Sequence, residues 1–257
     1  MAVSLEDVRQ VARDAATGTV RHMTRPEFFL GMVEPQRAMM EAAGLITHVP
    51  KLMTSPRPDG HPVFVIPGLS GGANWCRVLR GYLTLAGHNV HQPRPGATKG
   101  RLKTVVRRLA DHVEQLHADT GQTVSVIGWS VGGVTARQVG MAAARSTRQV
   151  ITLGAPASGF WYAEIPGTSG RPMPVPTTAV YSKSDPWFDW RACAQPAGRF
   201  CEDVIIPSSH IGMATNPFAY AVILDRLAQH PGSWRPYRPS PFSPVSSKLS
   251  DATPTAA

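Results

Sequence analysis

The stretch Val124-Ser125-Val126-Ile127-Gly128-Trp129-Ser130-Val131-Gly132-Gly133 joins an apolar, β-branched run to a serine between glycines. The run from Val124 to Ile127 predicts a buried strand, and the residues from Val131 to Ala144 predict a helix. Glycines two positions before and after Ser130 leave room for a strained turn, where larger side chains would collide with the strand or the helix. Strand, tight turn and helix in this order are typical of a nucleophilic serine. In the alternative interpretation, Ser130 only caps the helix in an ordinary turn.

A nucleophilic serine needs a base that accepts its hydroxyl proton, and that base is usually a histidine. The chain has nine histidines. His210 alone follows the last apolar run, Asp203 to Ile206, on a short loop before a predicted closing helix over Pro217 to Ala228. The other eight precede the serine, lie on predicted helix faces or lie in the tail, where a solvated histidine is the simpler explanation. We therefore expect His210 to be the base.

A carboxylate is needed to orient this histidine. Asp185 follows the strand-like run Thr177 to Tyr181, so we expect it at the carboxyl end of the penultimate strand of the catalytic domain. The resulting chain order of serine, aspartate and histidine is one of three orders in which these groups occur in unrelated enzymes. An aspartate before proline is also an ordinary turn residue. Three nearby carboxylates are therefore alternatives, of which the first is favoured: Asp189, Glu202 and Asp203.

Backbone amides are the expected donors to the oxyanion of a tetrahedral intermediate. The amide of Val131 follows the serine directly and is the first candidate. The second is the amide of Leu69, in the glycine-rich loop from Pro67 to Gly72 that follows the strand-like run Val63 to Ile66. Ser70 is a weaker alternative to Leu69. A glycine-rich turn between strand and helix explains the same residues and is compatible with the oxyanion role.

These three segments together resemble the α/β-hydrolase superfamily, and within it small bacterial serine esterases and lipases. The resemblance spans about residues 60 to 232. It implies an α/β fold with a mostly parallel central sheet, helices on both faces, and ester hydrolysis through an acyl-enzyme on Ser130. Pro67 stands where many lipases have histidine. The short stretch between Ala155 and Thr177 predicts a reduced cap over the site.

The alternation of strand-like and helical patterns independently predicts a parallel sheet. The segment from Leu102 to Leu116 has clean helical spacing and reads as a crossover helix. We divide the chain into a helical extension packed on the core over residues 1–60, a catalytic domain over 61–232, and a flexible Pro/Ser-rich tail over 233–257. The helical piece from Arg25 to Gly44 is expected to break or restart at Pro35.

Aromatic residues cluster near the predicted serine, histidine and aspartate. They are candidates to line an apolar acyl or aryl groove, with simple packing as the alternative. An open apolar groove would suit bulky or interfacial esters. The residues proposed for substrate binding are Trp129, Phe160, Trp161, Trp187 and Phe188.

The chain is basic, with 26 lysines and arginines against 17 acidic residues, a net charge of +9 and a pI near 10.0. The arginines are scattered, and neither a nucleic-acid-binding module nor a dense basic run is evident. Solvated surface charge is therefore the main interpretation. We expect a small-molecule or lipid-like ester as substrate and no nucleic-acid partner, with weak contact to an anionic membrane surface as a minor hypothesis.

The sequence has no charged start followed by a hydrophobic run, so a cytoplasmic location is expected. Cys193 and Cys201 are close enough in sequence for a disulfide, which would leave Cys76 unpaired. No metal and no cofactor are expected, because acyl transfer on serine needs neither. Acyl transfer to another acceptor and thioester hydrolysis use the same residues and are alternative activities. A non-catalytic binding protein that kept the fold is a third alternative.

Overall fold

A computed structural model of the chain describes residues 25–52, 58–68, 72–157, 171–239 and 245–249. These residues build one seven-stranded sheet in the order β2-β1-β3-β4-β5-β6-β7. The first six strands are parallel, and β7 runs antiparallel to β6. The predicted mostly parallel sheet is therefore confirmed. The strands are β1 Pro62–Ile66, β2 Asn89–His91, β3 Val124–Trp129, β4 Thr147–Leu153, β5 Thr177–Tyr181, β6 Cys201–Ile205 and β7 Ser246–Leu249.

Helices pack on both faces of this sheet, as predicted. In β1, Val63 and Val65 point into one apolar cluster, whereas Phe64 and Ile66 point into the other, because successive side chains of a strand alternate between faces. The first cluster contains α3 and α7, and the second contains α4 and α5. The helices are α1 Arg25–Met32, α2 Glu34–Leu52, α3 Gly72–Leu85, α4 Leu102–Thr120, α5 Val131–Ala142, α6 Trp190–Cys193 and α7 Pro217–Leu227, with a 3-10 helix at Gly212–Thr215.

The helix α4 shows how the sequence pattern places a helix on the sheet. Its apolar stripe, including Val106, Leu109 and Val113, is buried, and its outer face is charged. The helix ends where Gly121 adopts a left-handed conformation with φ +67° and donates its N–H to His117 O. Truncation of the fully buried Leu109 to alanine would remove about 2–5 kcal/mol of stability, so this helix is core packing.

The sheet brings three distant chain segments to one edge. Parallel strands present their carboxyl ends on the same side, and ligands bind there in open α/β sheets. Ser130 follows β3, Asp185 lies in the loop after β5, and His210 lies in the loop after β6. These loops therefore meet above the same edge, although the residues are up to 80 positions apart.

The N-terminal helices differ slightly from the predicted pattern. The break expected at Pro35 falls at Val33, and α2 begins at Glu34. Proline is favourable there, because the first turn of a helix does not use its missing N–H. The helix α2 continues past Gly44 to Leu52 and packs against the 3-10 helix and α7. The predicted helical residues before Arg25 lie outside the described part of the chain.

Within the tail predicted to be flexible, the segment 246–249 forms β7. Its backbone pairs with β6, in a register that places Ser246 opposite Ile205. The tail is also tied down by Tyr237, whose N–H donates to Glu202 Oε2 at 2.7 Å and whose carbonyl accepts from Ser247 Oγ at 2.7 Å. Composition was a poor guide here, because pairing with an open sheet edge uses backbone groups and needs few apolar side chains.

The structure contains no disulfide between Cys193 and Cys201, and all three cysteines are free and buried. The two residues pack in different apolar clusters, so proximity in sequence does not bring their sulfurs together. Burial raises the pKa of each thiol, most strongly for Cys193. Within the described residues, no helix is both long and apolar enough to cross a membrane.

Candidate active site

Ser130 occupies a strained turn between β3 and α5. Its backbone has φ +56° and ψ −131°, and it is the one non-glycine residue with a positive φ in the described part of the chain. Such a conformation costs about 1–3 kcal/mol and is found at functional sites. A Cβ on Gly128 would lie 2.3 Å from Gly132 O, and a Cβ on Gly132 would lie 2.4 Å from Pro67 O. The glycines on both sides of the serine are therefore required by the backbone.

A continuous hydrogen-bonded chain joins the serine, the histidine and the aspartate. His210 Nε2 lies 3.0 Å from Ser130 Oγ, and His210 Nδ1 lies 2.7 Å from Asp185 Oδ2. The carboxylate can only accept, so Nδ1 carries a proton and the lone pair of Nε2 faces the serine hydroxyl. The side chains of His210 and Asp185 are each 2% exposed. The structure thus brings together the three residues proposed for the catalytic roles.

The second oxygen of Asp185 fixes the orientation of the carboxylate. Oδ1 accepts the backbone N–H of Trp187 at 2.8 Å and that of Phe188 at 3.3 Å. The loop therefore folds around its own aspartate, as aspartates in turns commonly do. Both carboxylate oxygens have defined partners, which leaves Oδ2 directed at His210.

The three alternative carboxylates have other partners. Asp189 accepts the N–H of Arg191 at 3.0 Å and caps the short helix α6. Glu202 forms a buried ion pair with Arg226. Asp203 accepts the N–H of Gln195 at 2.9 Å. None of these hydrogen bonds involves the imidazole of His210, whose Nδ1 contacts Asp185.

Three of the predicted aromatic residues surround the imidazole of His210. Trp187 stacks on it with a centroid separation of 5.2 Å and an interplanar angle of 6°, and Phe188 meets it edge-on at 5.3 Å. The Trp129 ring lies 5.8 Å away, and its Nε1 donates to His210 O at 3.1 Å. Trp129 is buried, but Trp187 is 50% exposed and so offers an apolar surface beside the histidine. Phe160 and Trp161 lie outside the described residues.

The backbone next to Ser130 has the form expected of an anion site. Val131 and Gly132 begin α5, and the first amides of a helix have no intrahelical acceptor. The loop after β1 passes close by, because a Cβ on Gly68 would lie 3.2 Å from Ser130 Cβ. Leu69 and Ser70, the other candidate donors, lie outside the described residues. The assignment of Leu69 and Val131 therefore stays a prediction.

Two carboxylates that the sequence analysis did not single out hold the loop of His210. Glu34 accepts the N–H of His210 at 3.1 Å and that of Ile211 at 3.0 Å. Glu41 accepts the N–H of Ser209 at 2.6 Å. Both glutamates belong to α2, more than 160 positions earlier in the chain. The spacing of 34, 37 and 41 does put three charged side chains on one helix face, but no local pattern identifies what that face contacts.

The third charged residue of that face, Arg37, joins the acid loop to the base loop. Its guanidinium donates to Ser184 O at 3.1 Å, to Ser184 Oγ at 2.8 Å and to Ser208 O at 3.0 Å. It also contacts Glu34 Oε1 at 3.3 Å. A guanidinium can make these contacts at once because its donors form a planar fork.

Burial is the main influence on the pKa of Glu34. Removal from water raises the pKa of this carboxyl, and the negative charge of Asp185 raises it further. The N–H groups of Ile211 and His210 act in the opposite direction, because they stabilise the ionised form. In the described residues, no group of three or more histidine, cysteine or acidic side chains is arranged to hold a metal ion.

No family model matches the chain, and no curated protein matches its sequence. Solved structures do resemble it. Lipase B of Aspergillus fumigatus is 17% identical with a TM-score of 0.53, and the match covers 71% of this chain and 56% of the lipase. Polyneuridine aldehyde esterase is 12% identical, with a TM-score of 0.50 over 66% of this chain and 100% of that one. BpoC of Mycobacterium tuberculosis is 12% identical, with a TM-score of 0.51 over 66% and 92%.

These likenesses, together with the strand order, identify the fold as that of the α/β-hydrolases. The fold expected from the sequence is therefore confirmed. A fold alone does not specify a reaction, because one fold carries many activities. The chain spans just over half the length of the fungal lipase. The reduced cap predicted between Ala155 and Thr177 falls largely on residues outside the described ranges.

Proposed function

We propose that this protein is a serine hydrolase that cleaves carboxylic esters through an acyl-enzyme on Ser130. The observation that carries the proposal is the chain of hydrogen bonds from Ser130 Oγ through His210 to Asp185, with distances of 3.0 and 2.7 Å. The strained turn supports it, because this conformation is kept at a cost that an ordinary helix cap would not require.

In the first half of the proposed reaction, His210 acts as base and then as acid. Nε2 accepts the hydroxyl proton while Ser130 Oγ attacks the ester carbonyl carbon. Collapse of the tetrahedral intermediate breaks the bond to the alcohol oxygen, which leaves with the proton from Nε2. Asp185 stabilises the imidazolium between these steps and keeps the ring in the required orientation. The product is an ester between the acyl group and Ser130.

In the second half, water replaces the alcohol. His210 Nε2 accepts a proton from the water as its oxygen attacks the acyl carbonyl. The second tetrahedral intermediate releases the carboxylic acid, and the proton on Nε2 returns to Ser130 Oγ. In both intermediates, we propose, the negatively charged oxygen accepts hydrogen bonds from the amide of Val131, at the start of α5, and from that of Leu69. Each such donor typically contributes about 10²–10³-fold to the rate.

The surface beside His210 favours an apolar ester. Trp187 is half exposed and lies flat on the imidazole, so an acyl or aryl group can pack on its ring while the carbonyl reaches Ser130. A small-molecule or lipid-like ester fits this surface. The net charge of +9 adds general attraction to anionic surfaces, and weak binding to an anionic membrane stays a secondary hypothesis.

Hydrolysis of p-nitrophenyl esters of increasing acyl length tests the proposal. The wild-type protein should release nitrophenol, with a burst before the steady state for any ester whose deacylation is slower than its acylation. The acyl length with the highest kcat/KM then reports the size of the site. No hydrolysis of any ester in the series would contradict the proposal.

The same assay distinguishes hydrolysis from acyl transfer. Added methanol or butanol competes with water for the acyl-enzyme, and the ratio of ester to acid products gives the partition. A hydrolase yields mainly acid at millimolar alcohol. A dominant ester product would instead identify a transferase that uses the same three residues.

A further inference from the structure

The helix α2 presents three charged side chains to the edge of the proposed active site. Glu34, Arg37 and Glu41 lie three and four positions apart, a spacing that puts them on one helix face. We propose that Glu34 and Glu41 are positioning residues that hold the loop of His210 by its backbone amides, with Arg37 coupling this loop to that of Asp185. The proposal rests on the proposed function, because it assigns these residues to the same reaction.

The two carboxylates accept three consecutive backbone N–H groups. The N–H of Ser209 goes to Glu41 Oε1, that of His210 to Glu34 Oε1 and that of Ile211 to Glu34 Oε2, at 2.6, 3.1 and 3.0 Å. Residues 209–211 belong to neither a strand nor a helix, so the regular hydrogen bonds of secondary structure supply no acceptor for these amides. A buried N–H without an acceptor is costly, and here each acceptor comes from α2.

Glu41 also fixes the two ends of this loop. Its Oε2 accepts from Ser208 Oγ at 2.5 Å and from Asn216 Nδ2 at 2.8 Å. Asn216 in turn caps α7 through its Oδ1. A Cβ on Gly212 would lie 2.6 Å from Glu41 Oε2, so the backbone there approaches the carboxylate as closely as a glycine permits. Glu34 and Glu41 together thus anchor the loop between β6 and α7 along its length.

Through Arg37, the distance between Asp185 and His210 depends on the position of α2. It bonds to both Ser184, which precedes Asp185, and Ser208, which lies two residues before His210. One rigid helix therefore contacts the backbone of both loops. A shift of α2 would change the geometry between Asp185 and His210, and reactions of this kind lose about 10²-fold in rate for a displacement of 1 Å.

A carboxylate suits this role better than an amide. Glu34 receives one backbone N–H on each oxygen, whereas a glutamine would place its own NH₂ against one of these donors. Glutamine at position 34 therefore keeps size and shape but loses one hydrogen bond and sets two donors against each other. The charged and titratable groups that face Glu34 are Arg37 from its own helix and Asp185 and His210 from the loops.

The test compares Glu34→Gln and Glu41→Gln with Glu114→Gln, a matched change at an exposed position of α4. All variants are full-length and are assayed well below their melting temperatures. Each α2 variant should lose about 10–100-fold in kcat on a p-nitrophenyl ester with KM within twofold, because orientation of the base is impaired. Arg37→Lys keeps the charge but loses the planar set of guanidinium donors. Its kcat should lie between those of the two glutamate variants and that of Glu114→Gln.

A second measurement separates positioning from simple stabilisation. The proton on His210 Nδ1, shared with Asp185, is expected as a low-field NMR resonance in the wild-type protein. In a folded Glu34→Gln protein this resonance should shift or exchange faster, whereas Glu114→Gln should leave it unchanged. This readout does not depend on turnover, so it still tests the proposal if the wild-type protein hydrolyses no ester.

Two results would overturn the positioning role. In the first, the α2 variants melt at lower temperature but keep kcat within twofold of Glu114→Gln, which would make α2 a structural support only. In the second, the His210 resonance is the same in the α2 variants as in the wild type. If Glu34→Gln does not fold, Glu41→Gln and Arg37→Lys are judged by the same two criteria.

Discussion

Among the described residues, two hydrogen-bonded chains of serine, histidine and aspartate side chains lie at opposite ends of the strands of the central sheet. At the carboxyl edge, Ser130 contacts His210 at 3.0 Å and His210 contacts Asp185 at 2.7 Å. Near the amino end of β3, His61 Nε2 lies 2.8 Å from the hydroxyl of Ser125, and its Nδ1 is hydrogen-bonded to Asp59. The two hydrogen-bonded chains of side chains are therefore alike in residue types and in the order of their hydrogen bonds.

The two serines differ in backbone and access. Ser125 is 0% exposed and lies within β3, paired with Val63 and Gln149 in the neighbouring strands. Ser130 is 8% exposed and stands at a turn with φ +56°, at the start of a helix. Of the two serines, only Ser130 is partly exposed, and in the proposed reaction the first amides of the helix beside it stabilise the developing charge.

The Ser125 hydroxyl is also saturated by a second partner. Gln149 Nε2 donates to it at 3.1 Å, while the hydroxyl donates to His61. Arg148 pairs with Asp59, and its guanidinium also reaches Gln229 O. This network joins the start of β3 to the end of α7 and serves the fold. Hydrogen-bond order alone therefore does not make a serine reactive, since access and preorganised donors are required too.

The largest expected difference between the two hydrogen-bonded chains follows from removal of the hydroxyls of Ser130 and Ser125. Ser130→Ala should lower kcat for a p-nitrophenyl ester by about 10⁶-fold, as expected when a covalent nucleophile is lost. Ser125→Ala should leave kcat within about threefold and lower the free energy of unfolding by about 1–3 kcal/mol, because its buried partners lose a hydrogen bond. Steady-state kinetics and urea denaturation of both variants check this. Equal losses of activity would remove the distinction.

The next largest difference concerns the aspartates. Asp185→Asn should reduce kcat by about 10⁴-fold, since the amide favours the wrong tautomer of His210. Asp59→Asn should lower the melting temperature while kcat changes little, because the contacts of Asp59 within the described residues belong to the network that serves the fold. A kcat for Asp185→Asn near that of the wild type would mean that another group orients His210.

The turn itself gives the third comparison. Gly132→Ala would place a methyl group against backbone oxygens at 2.4 and 2.5 Å, which cannot move without shifting β1. We expect a loss of about 10²-fold or more in kcat as Ser130 is displaced. Gly81→Ala is the control, because its Cβ meets nothing within 4 Å and alanine is the better helix former there. Circular dichroism of both variants verifies folding before the assay.

The smallest effect is the pH dependence of stability. Burial lowers the pKa of His61 and lowers that of His88 to about 4, so on acidification the unfolded chain takes up protons at these side chains before the folded protein does. Stability should therefore be fully present above about pH 6.5 and decline as pH falls towards about 4. Asp59 adds to the loss below about pH 4, because hydrogen bonds from His61 and Arg148 outweigh burial and hold its pKa well below the usual range.

Urea denaturation between pH 4 and 7 measures this decline. His88→Gln removes one of the histidines whose pKa burial lowers, and its unfolding free energy should depend less on pH than that of the wild type. An identical slope in both proteins would rule out His88 as a contributor.

The features of the molecule that could be predicted from the sequence are those marked by a short sequence pattern. The turn around Ser130 requires glycines at fixed spacing, and the loop of His210 follows a recognisable strand. Glu34 and Glu41 had no such pattern, because their role depends on the docking of a helix against a loop over 160 positions away. The edge strand β7 was missed for a related reason, since backbone pairing leaves little trace in side-chain composition.

The most direct test of the central claim is the labelling of the folded protein by a fluorophosphonate, followed by mass spectrometry of the intact chain and of its peptides. If Ser130 is the nucleophile, one adduct forms per chain, on Ser130 and not on Ser125, with labelling abolished in Ser130→Ala and strongly slowed in His210→Ala. An unlabelled wild-type protein, or an adduct that persists in Ser130→Ala, would contradict the claim.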